Sequence, residues 1–261
     1  MLKHFVGELL GTFILVFLGC GVVGYTVLIN QLSLIQIAGV WGIAVFIAIL
    51  VSRNFSNAHL NPAVSLGFYF NKNIGLKTFG IYLVGQLLGA FIAAFAVFMI
   101  FENQILLAEG GNFSINTAMI FGEYYPNPGN ASLNELKTST AFLFEFGGTF
   151  LLMFAILVIN HNERLHYLIK AAAIGITLSI LIYVIAPYTQ AGFNPARDFA
   201  PRLFSYFNGY ENIAFSGPSL GFITVYILGP IVGASSATLL FKLSLDNRRS
   251  KEKLSFRNST K

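Results

Sequence analysis

Residues 57–66 read NAHLNPAVSL and residues 191–200 read AGFNPARDFA, so Asn-Pro-Ala occurs at Asn61, Pro62 and Ala63 and again at Asn194, Pro195 and Ala196. Proline is scarce, 8 in 261 residues, and both copies sit among long apolar stretches. Asn-Pro is ordinarily a turn or helix-start signal at a wet surface. A fold for this chain has to explain two such signals at membrane depth.

The surrounding sequence is that of an integral membrane protein. It is 55% hydrophobic and 10% charged with a mean hydropathy of +0.69, where a soluble domain carries about 25% charge. A hydrocarbon core about 30 Å thick takes roughly 20 apolar residues per helix. Residues 9–52 carry no charge and are long enough for two spans joined at the polar INQLS of 29–33; 78–101 give a third. Residues 138–161, whose one charge is Glu145, give a fourth, the first part of 171–196 a fifth and 212–241 a sixth. Met1–His4 is too short and too weakly basic for a signal peptide, so the first span is expected to remain.

The net charge of +5 belongs to loops and tail rather than to a nucleic-acid patch. Arg53, Lys72 and Lys77 follow span two, Arg164 and Lys170 follow span four, and the tail holds Lys242, Arg248, Arg249, Lys251, Lys253, Arg257 and Lys261. The long 102–137 segment sets Lys137 against Glu102, Glu109, Glu123 and Glu135. Basic loops face the cytoplasm, which places both termini there, in a cell membrane, with no nucleic-acid partner. The single Cys20 excludes an intramolecular disulfide and reads as a small buried side chain. No nucleophile–base pair, metal-ligand spacing or phosphate loop is found, so neither an enzyme nor a metal or cofactor site is expected.

The chain also resembles itself. GELLGTFILVF (7–17) aligns with FEFGGTFLLMF (144–154), matching Glu8 to Glu145 and Thr12 to Thr149. NPAVS aligns with NPARD, and GQLLGA (85–90) with GPIVGA (229–234), in the same order. Each half has three spans. An odd number puts the second half in the membrane upside down, so the predicted fold is all-α with six transmembrane helices in an inverted three-helix repeat. The repeats cover about 5–101 and 138–243 of a single channel domain, with 102–137 as an outer loop and 245–261 as a cytoplasmic tail.

After Asn61 the run PAVSLGFYF reaches polar Asn71, about ten residues or about 15 Å of helix. Pro195 through roughly Tyr206 has similar length. Two half-helices from opposite sides would meet near the midplane and together supply a seventh span. Asn at the N-cap and Pro at the first position make a natural helix start, and the two N-termini present partial positive charge to each other. The leading segments, 54–60 and 188–193, are predicted to be non-helical, which at membrane depth requires a water-filled cavity or burial in protein. The doubled motif therefore predicts an aqueous pore whose positive centre opposes cations and protons.

An Arg in a membrane segment is a functional candidate. Arg197 either lines the pore or pairs with adjacent Asp198, although consecutive helical residues do not face each other. Glu8 and Glu145 are either proton carriers or structural acceptors for the N–H groups of the two irregular loops, and their matched positions favour the second.

AHLNPAVS with NPARD, the paired E…GTF starts and YPNP (125–128) resemble the major intrinsic proteins, the aquaporins, and within these the bacterial glycerol facilitators, over about residues 5–243. The resemblance implies a homotetramer in the lipid bilayer with one pore per subunit, passing glycerol, water and other small neutral solutes. It implies a selectivity filter at Trp41, Ile182, Ala191 and Arg197, loop carbonyls of Asn57, Ala58, His59, Gln190, Ala191 and Gly192 along the pore, and a structural Asp198. The glycerol facilitator ring looks like Trp, Gly, Phe, Arg. Here Ile182 replaces a small residue and Ala191 an aromatic one, which is closer to the plant nodulin-type channels. Trp41 reads either as the apolar wall of this ring or as an interfacial belt residue. The competing functions are a water-selective channel and an ion-coupled transporter of a small polyol.

Overall fold

The structure is a computed structural model describing residues 1–218 and 220–259, with side chains described outside 246–259. The basic tail side chains from Arg248 onward therefore lie outside the described residues. Among the described residues, six helices are long and apolar enough to cross a membrane. They are α1 (Leu2–Leu28), α2 (Leu34–Ser52), α4 (Leu76–Glu109), α6 (Thr138–His161), α7 (Tyr167–Thr189) and a sixth span, Ile223–Leu245, that runs through wide π-type turns at Ile223–Leu228 into α9 (Gly229–Ser259). Two short helices, α3 (Pro62–Phe70) and α8 (Pro195–Ser205), follow the two Asn-Pro motifs. One further turn, α5 (Ile115–Ala118), lies in the long 110–137 connection.

The packing repeats. α1 lies against α4 as α6 lies against α9, α1 against α2 as α6 against α7, and α4 against α8 as α9 against α3; α2 meets α7 and α3 meets α8 across the pseudo-two-fold. The recurring Gly-rich motifs show why. A Cβ on Gly89 would come within 2.3 Å of the Leu9 carbonyl oxygen, and one on Gly233 within 2.3 Å of the Phe146 carbonyl oxygen. Leu9 and Phe146 each follow the matched glutamate of their half, Glu8 and Glu145, so one helix backbone rests on its neighbour at matched points. Close backbone approach of this kind is how membrane helices gain packing energy without a hydrophobic driving force.

Three boundaries differ from the sequence reading. α4 runs two turns past Phe101 to Glu109, because Glu102 and Glu109 are tolerated where a helix emerges from the apolar layer; at 1.5 Å per residue α4 is roughly 50 Å long. α7 includes Pro187 and ends at Thr189, so the second irregular segment is 190–193 rather than 188–193. The helix continues because the polar end of α7 is tied from outside: Asn127 donates to the Ala186 carbonyl at 2.7 Å and Asn130 to the Pro187 carbonyl at 2.9 Å. Finally, part of the 212–241 stretch is not one span. Residues Glu211–Phe215 form a tight turn beside α8 before the last helix begins.

Candidate functional site: a polar pathway through the bundle

Each half-helix starts as its sequence requires. The Asn61 side-chain oxygen accepts from the Ala63 N–H at 2.9 Å, and that of Asn194 from Ala196 at 3.0 Å and Arg197 at 3.3 Å, with Pro next in both cases. The amide nitrogens reach across. Asn61 Nδ2 donates to the Phe193 carbonyl at 2.9 Å and Asn194 Nδ2 to the Leu60 carbonyl at 2.8 Å. An amide NH₂ has two hydrogens, so one on each Asn remains for a solute.

The segments before the two motifs share an unusual backbone. Ala58 and Leu60 have φ of 51° and 57°, and Ala191 and Phe193 have φ of 63° and 53°. These are the third and first positions before each Asn, and none is glycine. Such conformations cost energy and persist only where the surroundings enforce them. Glu8 and Glu145 are those surroundings. Glu8 accepts from Ser56 Oγ (2.7 Å), His59 N (3.0 Å), Leu60 N (2.7 Å) and Gln86 Nε2 (2.7 Å). Glu145 accepts from Thr189 Oγ1 (2.6 Å), Gly192 N (3.0 Å) and Phe193 N (2.8 Å). With the N–H groups turned to the glutamates, the carbonyls of Asn57, Ala58, His59, Gln190, Ala191 and Gly192 find no intramolecular partner among the described residues. His59 is buried, within 3.2 Å of Ser65 Oγ and stacked on Phe68.

These bonds make a testable difference between the two roles of the glutamates. Glu8→Ala and Glu145→Ala are expected to destabilise the folded protein by on the order of 4 kcal/mol or more, at about 1–3 kcal/mol per orphaned donor. Thermal unfolding in detergent would read this. A proton carrier would instead lose gradient coupling with its melting temperature unchanged.

Two cavities, of about 540 and 730 Å³, open at opposite ends of the bundle. The first is lined from Arg53, Asn73, Asn160 and Lys170 at the termini side inward to Asn61 and Asn194. The second is lined by 26–32 and by parts of 119–130 and 186–190. Three residues line both: Trp41, Ile182 and Arg197. Ala191 lines the first. Trp41 is 6% exposed, and the Arg197 guanidinium lies 4.5 Å from its ring centroid. All four filter candidates are thus close to one level of the pathway.

The sequence reading missed the partner of Arg197. Arg197 pairs with Glu123, not Asp198, and both are buried. Asp198 pairs with Arg202, one helical turn on, at 2.9 Å. The sequence places Glu123 among the ordinary charges of the outer loop; that loop instead folds inward, because a carboxylate there meets a buried guanidinium that nothing on α8 neutralises. Counting charges could have found it. α8 buries two arginines but one acid, so a carboxylate from elsewhere is required.

The whole-chain comparisons agree with this geometry. The family model described as "Major intrinsic protein" matches residues 1–241. The chain belongs to the major intrinsic protein family. As a major intrinsic protein it is a transmembrane channel for small neutral solutes, not an enzyme. It is 30% identical over 251 residues to the glycerol uptake facilitator protein of Haemophilus influenzae, covering 92% of each chain. It is 33% identical over 242 residues to aquaglyceroporin-2 of Rhizophagus irregularis, covering 90% of this chain and 74% of the relative. Among solved structures, the aquaglyceroporin from Plasmodium falciparum superposes with a TM-score of 0.79 at 28% identity, over 92% of this chain and 95% of that one.

Proposed function

We propose that this major intrinsic protein is a passive channel for glycerol, other small uncharged solutes and water, closed to ions and protons. The supporting observation is the convergence of two opposed cavities on Trp41, Ile182 and Arg197, with Ala191 beside them. Trp41 and Ile182 offer an apolar wall to the carbon backbone of a polyol. Beside them, the carbonyls of 190–192 accept from its hydroxyls and Arg197 Nη1, buried and without a hydrogen-bond partner among the described residues, donates to them. Stripping a hydroxyl of water without such partners costs about 2–7 kcal/mol, so their fixed placement lowers the barrier. At the midplane the free hydrogens of Asn61 and Asn194 orient the solute between two positive helix ends, an arrangement hostile to cations.

Vesicle swelling with water, glycerol, urea and sorbitol, with and without an imposed proton gradient, tests this reading. Glycerol and water should cross at rates indifferent to the gradient. Uphill accumulation of a polyol driven by protons would replace the channel with a transporter.

Ile182 and Ala191 are proposed to set the size cutoff jointly. Ile182→Gly should let a five-carbon sugar alcohol pass faster relative to glycerol, since Ala191 cannot refill the space. Ala191→Phe alone should slow glycerol more than water. The double variant should recover much of the glycerol flux, because two side chains at one aperture do not act additively. Stopped-flow light scattering on all four proteins decides it; additive effects would place the constriction elsewhere.

The same reading carries the arrangement in the cell. Both termini are proposed to face the cytoplasm of a cell membrane, from the distribution of Lys and Arg. The chain is proposed to act as one channel domain and to assemble as a homotetramer, its apolar outer face (Ile43, Leu151 and Ile176 among others) shared between lipid and neighbouring subunits.

A further inference from the structure

Arg202 lines neither cavity, yet it is among the most buried large side chains, 1% exposed. All three of its guanidinium nitrogens donate. Nε donates to both Asp198 carboxylate oxygens at 2.9 Å, Nη1 to the Ala214 carbonyl at 2.7 Å and Nη2 to the Glu123 carbonyl. Its guanidinium lies 4.4 Å from the Tyr124 ring centroid. Asp198 Oδ1 in turn accepts from the Glu123 N–H at 2.7 Å. One ion pair on α8 therefore holds the backbone of Glu123 at both its N–H and its C=O. Between those two holds projects the carboxylate that pairs with Arg197.

The preceding residue fits the same device. A Cβ on Gly122 would stand 2.6 Å from Arg202 Cγ and 3.0 Å from Cζ and Nε. Only a residue without a side chain lets the loop close over the guanidinium. A second tie runs from Tyr124 N to Gln190 Oε1 at 2.8 Å, so Glu123 is held between fixed neighbours.

We infer that Asp198 and Arg202 are positioning residues of the selectivity ring: by gripping the Glu123 backbone they fix the carboxylate that holds the Arg197 guanidinium against the Trp41 face. Aperture and charge at the ring are then set from behind, by a pair that never touches solute. A buried ion pair is weak ground for stability, since apolar residues of similar volume often serve as well. A planar fork that binds one carboxylate and two separate carbonyls is instead suited to geometry, and lysine cannot copy it. The inference rests on Arg197 being the polar wall of the ring.

The test compares glycerol and water permeability and sodium leak per folded channel in proteoliposomes. The variants are Gly122→Ala, Asp198→Asn and Arg202→Lys, each alone and combined with Glu123→Ala, and Arg197→Ala is the reference. Gly122→Ala and Arg202→Lys should shift the glycerol-to-water ratio by at least about threefold, in keeping with couplings inside one hydrogen-bonded network. In the Glu123→Ala background the same changes should shift it no further, because the carboxylate they position is gone. Additive shifts, or lower yields of folded protein with an unchanged ratio, would overturn the inference and leave the pair as support for the fold. If Gly122→Ala does not fold, Asp198→Asn gives the same comparison with no change of volume. A shifted ratio for Arg197→Ala alone, with the Asp198 and Arg202 variants silent, would sink the positioning role and keep the ring. An unchanged Arg197→Ala would sink the ring itself.

Discussion

Replacing Arg197 with alanine is expected to give a channel that leaks cations. Arg197 is paired with Glu123, and both are buried. Removing the guanidinium leaves a carboxylate uncompensated at the level where the two cavities share their lining, a situation that costs about 3–5 kcal/mol when a buried pair is broken. A ring of balanced charge becomes a ring of negative charge, which is how cation-conducting pores are built. Sodium and proton leak should rise by about tenfold or more, about 1.4 kcal/mol or more in barrier, and the protein should unfold at lower temperature. The double variant Arg197→Ala with Glu123→Gln separates charge from size. It should keep the wider aperture, regain stability and lose most of the leak. Equal leak in the single and double variants would show that the ring excludes cations by its width. This expectation differs in mechanism from one based on a lone fixed positive charge, because the paired carboxylate, once exposed, is itself the cause of the leak.

Asn61→Asp and Asn194→Asp are expected to cut glycerol flux by roughly tenfold each, from the loss of one cross-half hydrogen bond at about 1–3 kcal/mol. A carboxylate can still accept from the Ala63 or Ala196 N–H, so each half-helix keeps its start. It cannot donate. In Asn61→Asp the Phe193 carbonyl would face a carboxylate oxygen, and in Asn194→Asp the Leu60 carbonyl would. The hydrogen offered to a passing solute disappears as well, and a negative charge replaces part of the positive field at the helix ends. Glycerol flux and proton conductance in the same vesicles would read both effects. Normal values for both variants would mean that solutes cross somewhere other than between the two motifs.

Much of this was written in local sequence. Asn-Pro starts a helix by its own chemistry, and Asn71 marks how soon the first half-helix stops, so α3 and α8 could be drawn to within a residue. The pairing of Glu8 and Glu145 with the two loops followed from their equal places in the repeat. The inward fold of Glu123 had no handle in the repeat: the residue has no counterpart in the other half and is one of four glutamates in the 102–137 segment. The charge count on α8 says that a further acid is needed, and the closeness of Glu123 to Arg197 says which one supplies it. Gln86 was hidden for a related reason. It ties Glu8 to Ser65 on α3, but the matched residue in GPIVGA is Pro230, so the repeat gave no hint of a polar role. The ends of α4 and α7 lie beyond the charge and the proline that mark boundaries in the sequence, because exposure in one case and side-chain ties from another segment in the other let the helices continue.

The reciprocal bonds at the midplane also bear on how the molecule is made. Each glutamate shapes the loop of its own half, so that geometry is available as soon as three helices are in the membrane. The asparagine amides, by contrast, complete their bonding only on carbonyls of the other half, 132 and 134 residues away along the chain. During synthesis the first half must therefore wait, its loop formed but its central amide unanswered, until the second half arrives inverted. The hydrogen-bonded centre between the two motifs is therefore complete only when both halves are docked.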